Sequence, residues 1–259
     1  MTWTIQPRSK SGDLAYVETG SGPLVVLIHG VGLRAEAWGA QIDGLARSHR
    51  VCAVDMLGHG ESARLCGNPA LADYSDAIAE IITEPALVIG HSFGAMIALD
   101  MAARMPEKLR GAAALNGIYR RSPEAKQAVA TRANSLDGRT VADPTPTLDR
   151  WFGNDATPAR IACEHWLRVV DPAGYRDAYR VFATEDGPTD AALRAIKCPS
   201  LFLTGAQEPN STPAMSDQMA ALAPFGQSIT LAGAAHMMPM THASEVNAIL
   251  DRFNQEVRQ

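Results

Sequence analysis

The sequence of 259 residues has few cysteines, no excess of positive charge and no long apolar run. Its cysteines, Cys52, Cys66, Cys163 and Cys198, form no C-x-x-C pair and no cluster with histidine at ligand spacing. This spacing argues against a zinc site, and sparse cysteines fit a reducing compartment. A net charge of −5 provides no basic surface for nucleic acid or anionic lipid, so neither is an expected partner.

Segments that would direct the chain to a membrane are also missing. No apolar stretch approaches the length of about 18 residues that a spanning helix needs. The first residues, from Met1 to Arg8, lack the apolar centre of a signal peptide. We therefore expect a cytoplasmic protein with no membrane partner, and the sequence leaves a homo-oligomer open. Apolar residues make up 46% of the chain and charged residues 20%, a balance that predicts a folded globular protein.

Short apolar runs alternate with helical patterns along much of the chain. Continuous Val, Ile and Leu runs are typical of parallel strands that helices cover on both faces. Six runs qualify as strands: 24–28, 50–55, 86–89, 111–115, 200–204 and 228–231. Helical patterns occupy residues near 36–47, 74–82, 93–105, 213–223 and 241–256. This alternation predicts an α/β fold with a mainly parallel sheet flanked by helices.

The alternation stops between residues 118 and 191. This segment has no strand-like run, its pattern is helical, and it contains seven of the fifteen aromatic residues of the chain. A helical segment with so much aromatic surface must bury it against something. We interpret it as a cap over the end of the sheet. The predicted organisation is a core domain made of residues 1–117 and 192–259, with a helical cap at 118–191.

The clearest chemical signal is the sequence GHSFG at Gly90–Gly94. It follows a predicted strand directly and precedes a helical pattern directly. A chain that turns from strand to helix within about two residues holds the central residue in a strained conformation with its side chain exposed on the bend. That arrangement makes Ser92 a candidate nucleophile. The simpler alternative is a glycine-rich turn with an ordinary serine, which the strand and helix around it make less favourable.

Two backbone donors are predicted beside this serine. Acyl transfer needs N–H groups directed at the negative charge that develops on the substrate oxygen. Phe93, which follows the nucleophile, would supply one, and the loop His29–Gly32 after the first predicted strand would supply the other, most plausibly from Val31. A further motif, from Asp55 to Ser62, shows no direct chemistry, and a turn held by Asp55 and His59 is the favoured interpretation.

A serine nucleophile also needs a base and an acid. His236 lies in the loop after the last predicted strand, at the carboxyl edge where a base can reach the serine; a buried structural histidine is the alternative. Glu208 is the only carboxylate in the loop after residues 200–204, and it would hold His236 in the required tautomer. The alternative for Glu208 is a solvated loop carboxylate. Asn116, at the other possible position, cannot carry charge.

Together these residues resemble the α/β-hydrolase family over essentially the whole chain. The motifs that match in order are His29–Gly32 followed by Trp38, Asp55–Ser62, Gly90–Gly94 and Gly233–His236. The resemblance implies an eight-stranded, mostly parallel sheet with a cap inserted after the sixth strand. Most members carry Asp where Glu208 stands, although some triads use Glu. The serine nucleophile separates the chain from epoxide hydrolases and haloalkane dehalogenases, which carry Asp there.

These residues predict a serine hydrolase that needs no metal or organic cofactor. It would act through an acyl-enzyme on a small carboxylic ester, a lactone or a related acyl compound. The alternatives are an amide or C–C bond hydrolase acting on a carboxylate-bearing catabolic intermediate, and a non-catalytic small-molecule binder on the same fold. The candidate substrate contacts are Arg120 and Arg121, which would clamp a carboxylate, and Trp151, Trp166 and Met237, which would form an apolar wall. For the two arginines the more common alternative is a solvated helix face.

Overall fold

The computed structural model describes residues 3–257, and its eight strands form one sheet. The strands are β1 (Ser9–Ser11), β2 (Leu14–Thr19), β3 (Leu24–Ile28), β4 (Arg50–Asp55), β5 (Ala86–His91), β6 (Leu109–Leu115), β7 (Ser200–Gly205) and β8 (Gly226–Leu231). Their order across the sheet is β1-β2-β4-β3-β5-β6-β7-β8. The strands from β3 to β8 are parallel, and β2 is antiparallel to β1 and β4. The predicted fold class is confirmed.

The six strands predicted from apolar runs are all present, within two residues at each end. The two N-terminal strands were not predicted: β1 is polar, and the apolar run in β2 covers only Leu14–Val17 before Glu18 and Thr19. Strand β1 lies at the edge of the sheet and is largely exposed, while β2 mixes buried and exposed residues. The prediction about the start of the chain includes Met1 and Thr2, which lie outside the described residues.

Eleven α-helices occur in residues 3–257. They are α1 (Gly39–Leu45), α2 (Leu71–Ala79), α3 (Phe93–Arg104), α4 (Pro123–Ser135), α5 (Thr145–Phe152), α6 (Pro158–Val169), α7 (Pro172–Thr184), α8 (Asp190–Ala195), α9 (Pro213–Leu222), α10 (Met238–Thr241) and α11 (Ala243–Val257). Each of the five predicted helical patterns overlaps one or more of them. Within the described residues no helix is both long enough and apolar enough to cross a membrane.

The continuous apolar runs arise because both faces of the sheet are buried. In β3, Val26 and Ile28 belong to the core shared with α2 and α3, whereas Val25 and Leu27 belong to the core shared with α1 and α11. All four side chains are fully buried. Side chains alternate between the two faces of a strand, so a strand covered on both sides has apolar residues at every position.

The segment between β6 and β7 is helical, and we call it the insertion. Three of its helices begin at a residue whose side chain caps the helix and is followed directly by proline: Ser122 before α4, Thr157 before α6 and Asp171 before α7. A capping oxygen satisfies a free N–H group of the first turn, and proline fits the position that follows. An apolar cluster centred on α6 joins the insertion to residues outside it, among them Leu33 and Met237. Its boundaries as a separate cap domain stay a prediction.

The parallel strands bring the chemically important loops to one edge of the sheet. Ser92 follows β5, Asn116 follows β6, Glu208 lies three residues after β7, and His236 lies five residues after β8. The loop His29–Gly32 leaves β3 at the same edge. The fold therefore gathers residues that are far apart in the sequence at the carboxyl ends of neighbouring strands.

Candidate active site

Ser92 occupies a sharp bend between β5 and α3. The strand ends at His91 and the helix begins at Phe93, so Ser92 alone connects the two elements. Its backbone angles are φ 57° and ψ −116°, a conformation that residues with a Cβ rarely adopt. The neighbouring strand β6 stabilises the bend, since the N–H of Ser92 donates a hydrogen bond of 2.9 Å to the carbonyl oxygen of Leu115. This is the strained strand-to-helix turn that the sequence predicts.

Two glycines provide the space for this bend. A Cβ atom at Gly90 would overlap the carbonyl group of Gly94, and a Cβ atom at Gly94 would overlap the carbonyl group of Ile28 in the neighbouring strand. Neither glycine has the positive φ that favours glycine on conformational grounds. Both are therefore required because the backbone segments pass so closely.

His236 and Glu208 are joined by a short hydrogen bond. Oε2 of Glu208 accepts it from Nδ1 of His236 over 2.6 Å, and Oε1 accepts a bond of 2.8 Å from the N–H of Asn210. Burial alone would raise the pKa of Glu208, but His236 and the nearby backbone N–H groups lower it to about 2. Glu208 is therefore ionised at neutral pH. It occupies Nδ1 of the imidazole and leaves Nε2 available as a base.

Two side chains hold the backbone of His236. The Asn116 amide donates a bond of 2.8 Å to the His236 carbonyl oxygen and accepts one of 3.1 Å from the N–H of Gly205. Nε2 of His91 donates to the same His236 oxygen over 2.7 Å. Burial and the neighbouring His236 lower the pKa of His91 to about 3, so His91 is neutral. These two contacts were not predicted from the sequence, where Asn116 was noted only as unable to serve as the acid.

The loop after β3 passes close to the nucleophile. A Cβ atom at Gly30 would lie 3.1 Å from Cβ and 3.5 Å from Oγ of Ser92, so a larger residue would press on the serine. The N–H of Val31, the next residue, donates no hydrogen bond within residues 3–257, and neither does the N–H of Phe93. The two predicted oxyanion donors are thus unpaired in the part of the chain that the structure describes.

Residues at the end of β4 and just after it stabilise the loop His29–Gly32 through hydrogen bonds. Nε2 of His59 accepts a bond of 2.9 Å from the N–H of Gly32, and burial lowers the pKa of His59 to about 4, so the ring is neutral and can accept. Asp55 is fully buried; it accepts a bond of 2.9 Å from the N–H of Ala35 and pairs with Arg8 over 2.8 Å. These contacts agree with the structural role that the sequence indicates for Asp55 and His59.

Ser92 and His236 line one cavity of about 310 Å³. Within residues 3–257 the His236 side chain bonds to Glu208, and no hydrogen bond joins it to the Ser92 side chain. Catalytic hydrogen bonds of this kind are often long in the free enzyme and tighten when substrate binds. Three helices of the insertion each present one face to this cavity. The lining residues from α4 are Ala125, Ala128, Val129 and Arg132, those from α5 are Pro146, Thr147, Arg150 and Trp151, and those from α7 are Tyr175, Tyr179 and Phe182.

A sequence model described as the alpha/beta hydrolase family matches residues 25–249 of the chain. The match includes the bend at Ser92 as well as Glu208 and His236. The chain belongs to the alpha/beta hydrolase family.

Relatives with known names are hydrolases. An (E)-2-((N-methylformamido)methylene)succinate hydrolase of Acinetobacter baylyi is 39% identical over 245 residues, which cover 92% of each chain. A pimeloyl-[acyl-carrier protein] methyl ester esterase of Stenotrophomonas maltophilia is 33% identical, covering 91% of this chain and 94% of the esterase. The structure of a thermophilic esterase from Thermogutta terrifontis with bound malate has a TM-score of 0.85 at 25% identity, covering 95% of this chain and 94% of the esterase. The chain is an enzyme of this hydrolase class.

Three arginines line the cavity of this hydrolase, and none of its lining residues is Asp or Glu. Arg121 was predicted as a substrate contact. Its buried guanidinium donates to the carbonyl oxygens of Phe182, over 3.0 Å, and Glu185, and lies 4.4 Å from the centre of the Phe182 ring. Arg132 and Arg150 were not predicted. Each lies on the face of its helix that meets the cavity, and the sequence does not show which face that is.

Three other predicted substrate contacts lie outside this cavity, which corrects the prediction. Arg120 is exposed and pairs with Asp190 over 2.6 Å. Its φ is 52°, so the side chains of Arg120 and Arg121 point in different directions. Of the two, only Arg121 lines the cavity. Trp166 and Met237 are buried in the apolar cluster centred on α6, at 4% and 1% exposure. Met237 follows the candidate base in the sequence and Trp166 lies in a helix of the insertion. Neither position determines the direction in which the side chain points.

Trp151 is the predicted aromatic contact that does line the cavity. Its ring stacks on the imidazole of His236, with the ring centres 5.4 Å apart and the planes 18° from parallel. A residue of the insertion thus contacts the candidate base directly. Within residues 3–257, no group of three or more His, Cys, Asp or Glu side chains is arranged to hold a metal ion.

Proposed function

We propose that this hydrolase cleaves the acyl–nitrogen bond of a small amide that carries two carboxylates, through a Ser92–His236–Glu208 triad and an acyl-enzyme. The observation that carries the proposal is the charge of the cavity: three arginines and no acidic residue share it with Ser92. Guanidinium groups bind carboxylates with paired hydrogen bonds, so this wall favours an anionic substrate. A long neutral acyl chain would favour an apolar wall at the same place.

The names of similar proteins support this substrate class. The Acinetobacter relative is named for a succinate that bears an N-methylformamido group, which is an amide on a dicarboxylate. The Thermogutta esterase binds malate, another dicarboxylate. These observations favour the carboxylate-bearing amide over the simple ester that the sequence placed first. The same steps would also cleave an ester or lactone, and a bound ester would form the same kind of acyl-enzyme.

The chemistry needs only side chains, backbone N–H groups and water. Oγ of Ser92 attacks the acyl carbon while Nε2 of His236 takes its proton, and Glu208 stabilises the imidazolium that forms. The N–H groups of Val31 and Phe93 bind the oxyanion. The carbon–nitrogen bond then breaks as His236 returns the proton to the leaving nitrogen. Water, activated by His236, hydrolyses the acyl-enzyme and frees Ser92.

Chemical labelling tests the nucleophile. A fluorophosphonate probe should label the folded protein at Ser92, and Ser92→Ala should lose both the label and the activity. Ser211→Ala is the matched control, because Ser211 lines the same cavity, and it should still be labelled. Absence of label on the folded wild-type protein would contradict the proposed nucleophile.

A substrate series tests the specificity. The series consists of an N-acyl enamide of a dicarboxylate and the same amide with one or both carboxylates converted to carboxamides. We expect kcat/KM to fall with each carboxylate removed. Equal turnover of the neutral and the doubly charged amide would contradict the substrate class while leaving the nucleophile intact.

A further inference from the structure

Helix α5 carries a cation and an aromatic ring on one face. Thr147, Arg150 and Trp151 are spaced three and four residues apart, so they lie on the same side of the helix, and all three line the cavity. Arg150 and Trp151 are also neighbours in the chain. A displacement of this helical turn therefore moves both side chains together.

Trp151 contacts the candidate base, as its stacking on His236 shows. The imidazole has the carboxylate of Glu208 at Nδ1 and the neutral ring of His91 nearby, with ring centres 4.9 Å apart. The indole covers the imidazole from the side of the insertion. An aromatic face beside a developing imidazolium stabilises its charge and keeps water away from it.

Arg150 is available to a ligand. The carboxylate next to it in the sequence, Asp149, pairs with Arg160 over 2.7 Å. The charges of Arg150, Arg132 and Arg121 all act on the hydroxyl of Tyr179, where they oppose the increase in pKa that burial causes. The three cations therefore lie near the same hydroxyl, in the cavity that all of them line. Arg150, on the exposed side, is the one whose position depends on α5.

We infer that Arg150 binds one carboxylate of the substrate and that this contact holds Trp151 against His236. Helix α5 would thus couple recognition of a remote substrate group to the positioning of the general base. This inference rests on the proposed function. Arg132, on α4, remains for the second carboxylate. Binding energy from a group remote from the reacting carbon would then increase kcat as well as affinity.

The test compares variants on two kinds of substrate. Arg150→Gln removes the cation, Trp151→Ala removes the ring, and Trp151→Phe keeps an aromatic face. Arg168→Gln is the control, because Arg168 pairs with Glu164 on the exposed side of α6. Each is assayed with the dicarboxylate amide and with p-nitrophenyl acetate, which has no carboxylate, and thermal unfolding is used to verify folding.

Arg150→Gln should lower kcat for the dicarboxylate amide by about 10- to 100-fold and leave kcat for the neutral ester unchanged. Trp151→Ala should lower kcat for both substrates, and Trp151→Phe should restore most of the loss. Adding Arg150→Gln to Trp151→Ala should cause little further loss in kcat, because both act through the same contact.

Two results would overturn the coupling. One is an Arg150→Gln variant whose KM rises while kcat stays constant, which would make Arg150 a binding residue only. The other is a folded Trp151→Ala variant with wild-type kcat on the neutral ester. If the wild-type enzyme cleaves the ester but no dicarboxylate amide, the proposed substrate class fails instead, and the ester arm still reports on Trp151.

Discussion

The carboxylate of Glu208 lies 2.6 Å from Nδ1 of His236, and its side chain is fully buried. Glutamate is one methylene longer than aspartate, so the backbone that carries this carboxylate stands farther from the imidazole than an aspartate would allow. The loop after β7 accommodates that length by donating two backbone N–H groups, from Asn210 and Ser211, to the second carboxylate oxygen. The length of the Glu208 side chain and its charge can therefore be tested separately for their effect on His236.

Substitutions of Glu208 can distinguish the effect of its charge on kcat from the effect of its side-chain length. Glu208→Gln keeps the length but removes the charge that stabilises the imidazolium, and we expect kcat to fall by about 10³- to 10⁴-fold. Glu208→Asp keeps the charge but withdraws it from Nδ1, so the loss should be smaller. Steady-state kinetics on p-nitrophenyl acetate measures both. Wild-type kcat in a folded Glu208→Gln variant would remove Glu208 from the mechanism.

The crowded bend at Ser92 leads to a prediction about stability. A Cβ atom at Gly94 would overlap the backbone of β3, so Gly94→Ala should lower the free energy of unfolding by about 3 kcal/mol. Gly117→Ala is the control, because a Cβ atom there meets its nearest neighbours only at 3.6 Å. It should stay within about 1 kcal/mol of wild type. Urea unfolding followed by circular dichroism compares the two, and equal stabilities would contradict the steric explanation.

Much of this fold is readable from the sequence, because its signals are local. Strands buried on both faces produce unbroken apolar runs, and the runs in β3 and β4 match the observed strands residue for residue. The bend at Ser92 is likewise local, since it needs a strand, two close-packed glycines and a helix in immediate succession. His236 and Glu208 could be predicted because each lies in a loop that leaves the carboxyl end of a strand.

The side chains that line the cavity were harder to predict, because their directions depend on packing between helices. Arg120 and Arg121 are adjacent, yet one pairs with Asp190 at the surface and the other is buried in the cavity wall. Trp166 packs in the apolar cluster between α6 and the residues around Leu33 and Met237, and no residue of α6 lines the cavity. Arg132 and Arg150 lie within ordinary helical patterns, and nothing in the local sequence shows which face of those helices meets the nucleophile.

His59 provides a test of the proposed oxyanion loop. The N–H of Gly32 donates to Nε2 of His59, so removing the acceptor should free the loop that carries Val31. His59→Leu should lower kcat by about 10-fold with little change in KM, because the loop contributes mainly when the oxyanion forms. His59→Gln offers another acceptor and should retain more activity. A folded His59→Leu variant with unchanged kcat would exclude a role for this contact.

The last prediction concerns the effect of pH on stability. His29, His59 and His91 are buried, and burial is the main cause that lowers their pKa values to about 3, 4 and 3. In the unfolded chain these rings bind protons below about pH 6.5. The unfolded state therefore binds more protons than the folded state below that pH, and the free energy of unfolding must fall as the pH falls.

The effect of the histidines on the free energy of unfolding can be measured in a pH range where the carboxylates do not yet contribute. Each neutral histidine contributes up to about 1.4 kcal/mol per pH unit to this change. Glu208 contributes only when the pH falls below the ordinary pKa of a glutamate side chain. Urea unfolding between about pH 6.5 and pH 5 should thus show stability declining toward acid. His59→Gln should reduce the slope by about one third, whereas His165→Gln, at an exposed position, should leave it unchanged. A slope of zero in the wild-type protein would mean that these three rings are not held neutral in the folded state.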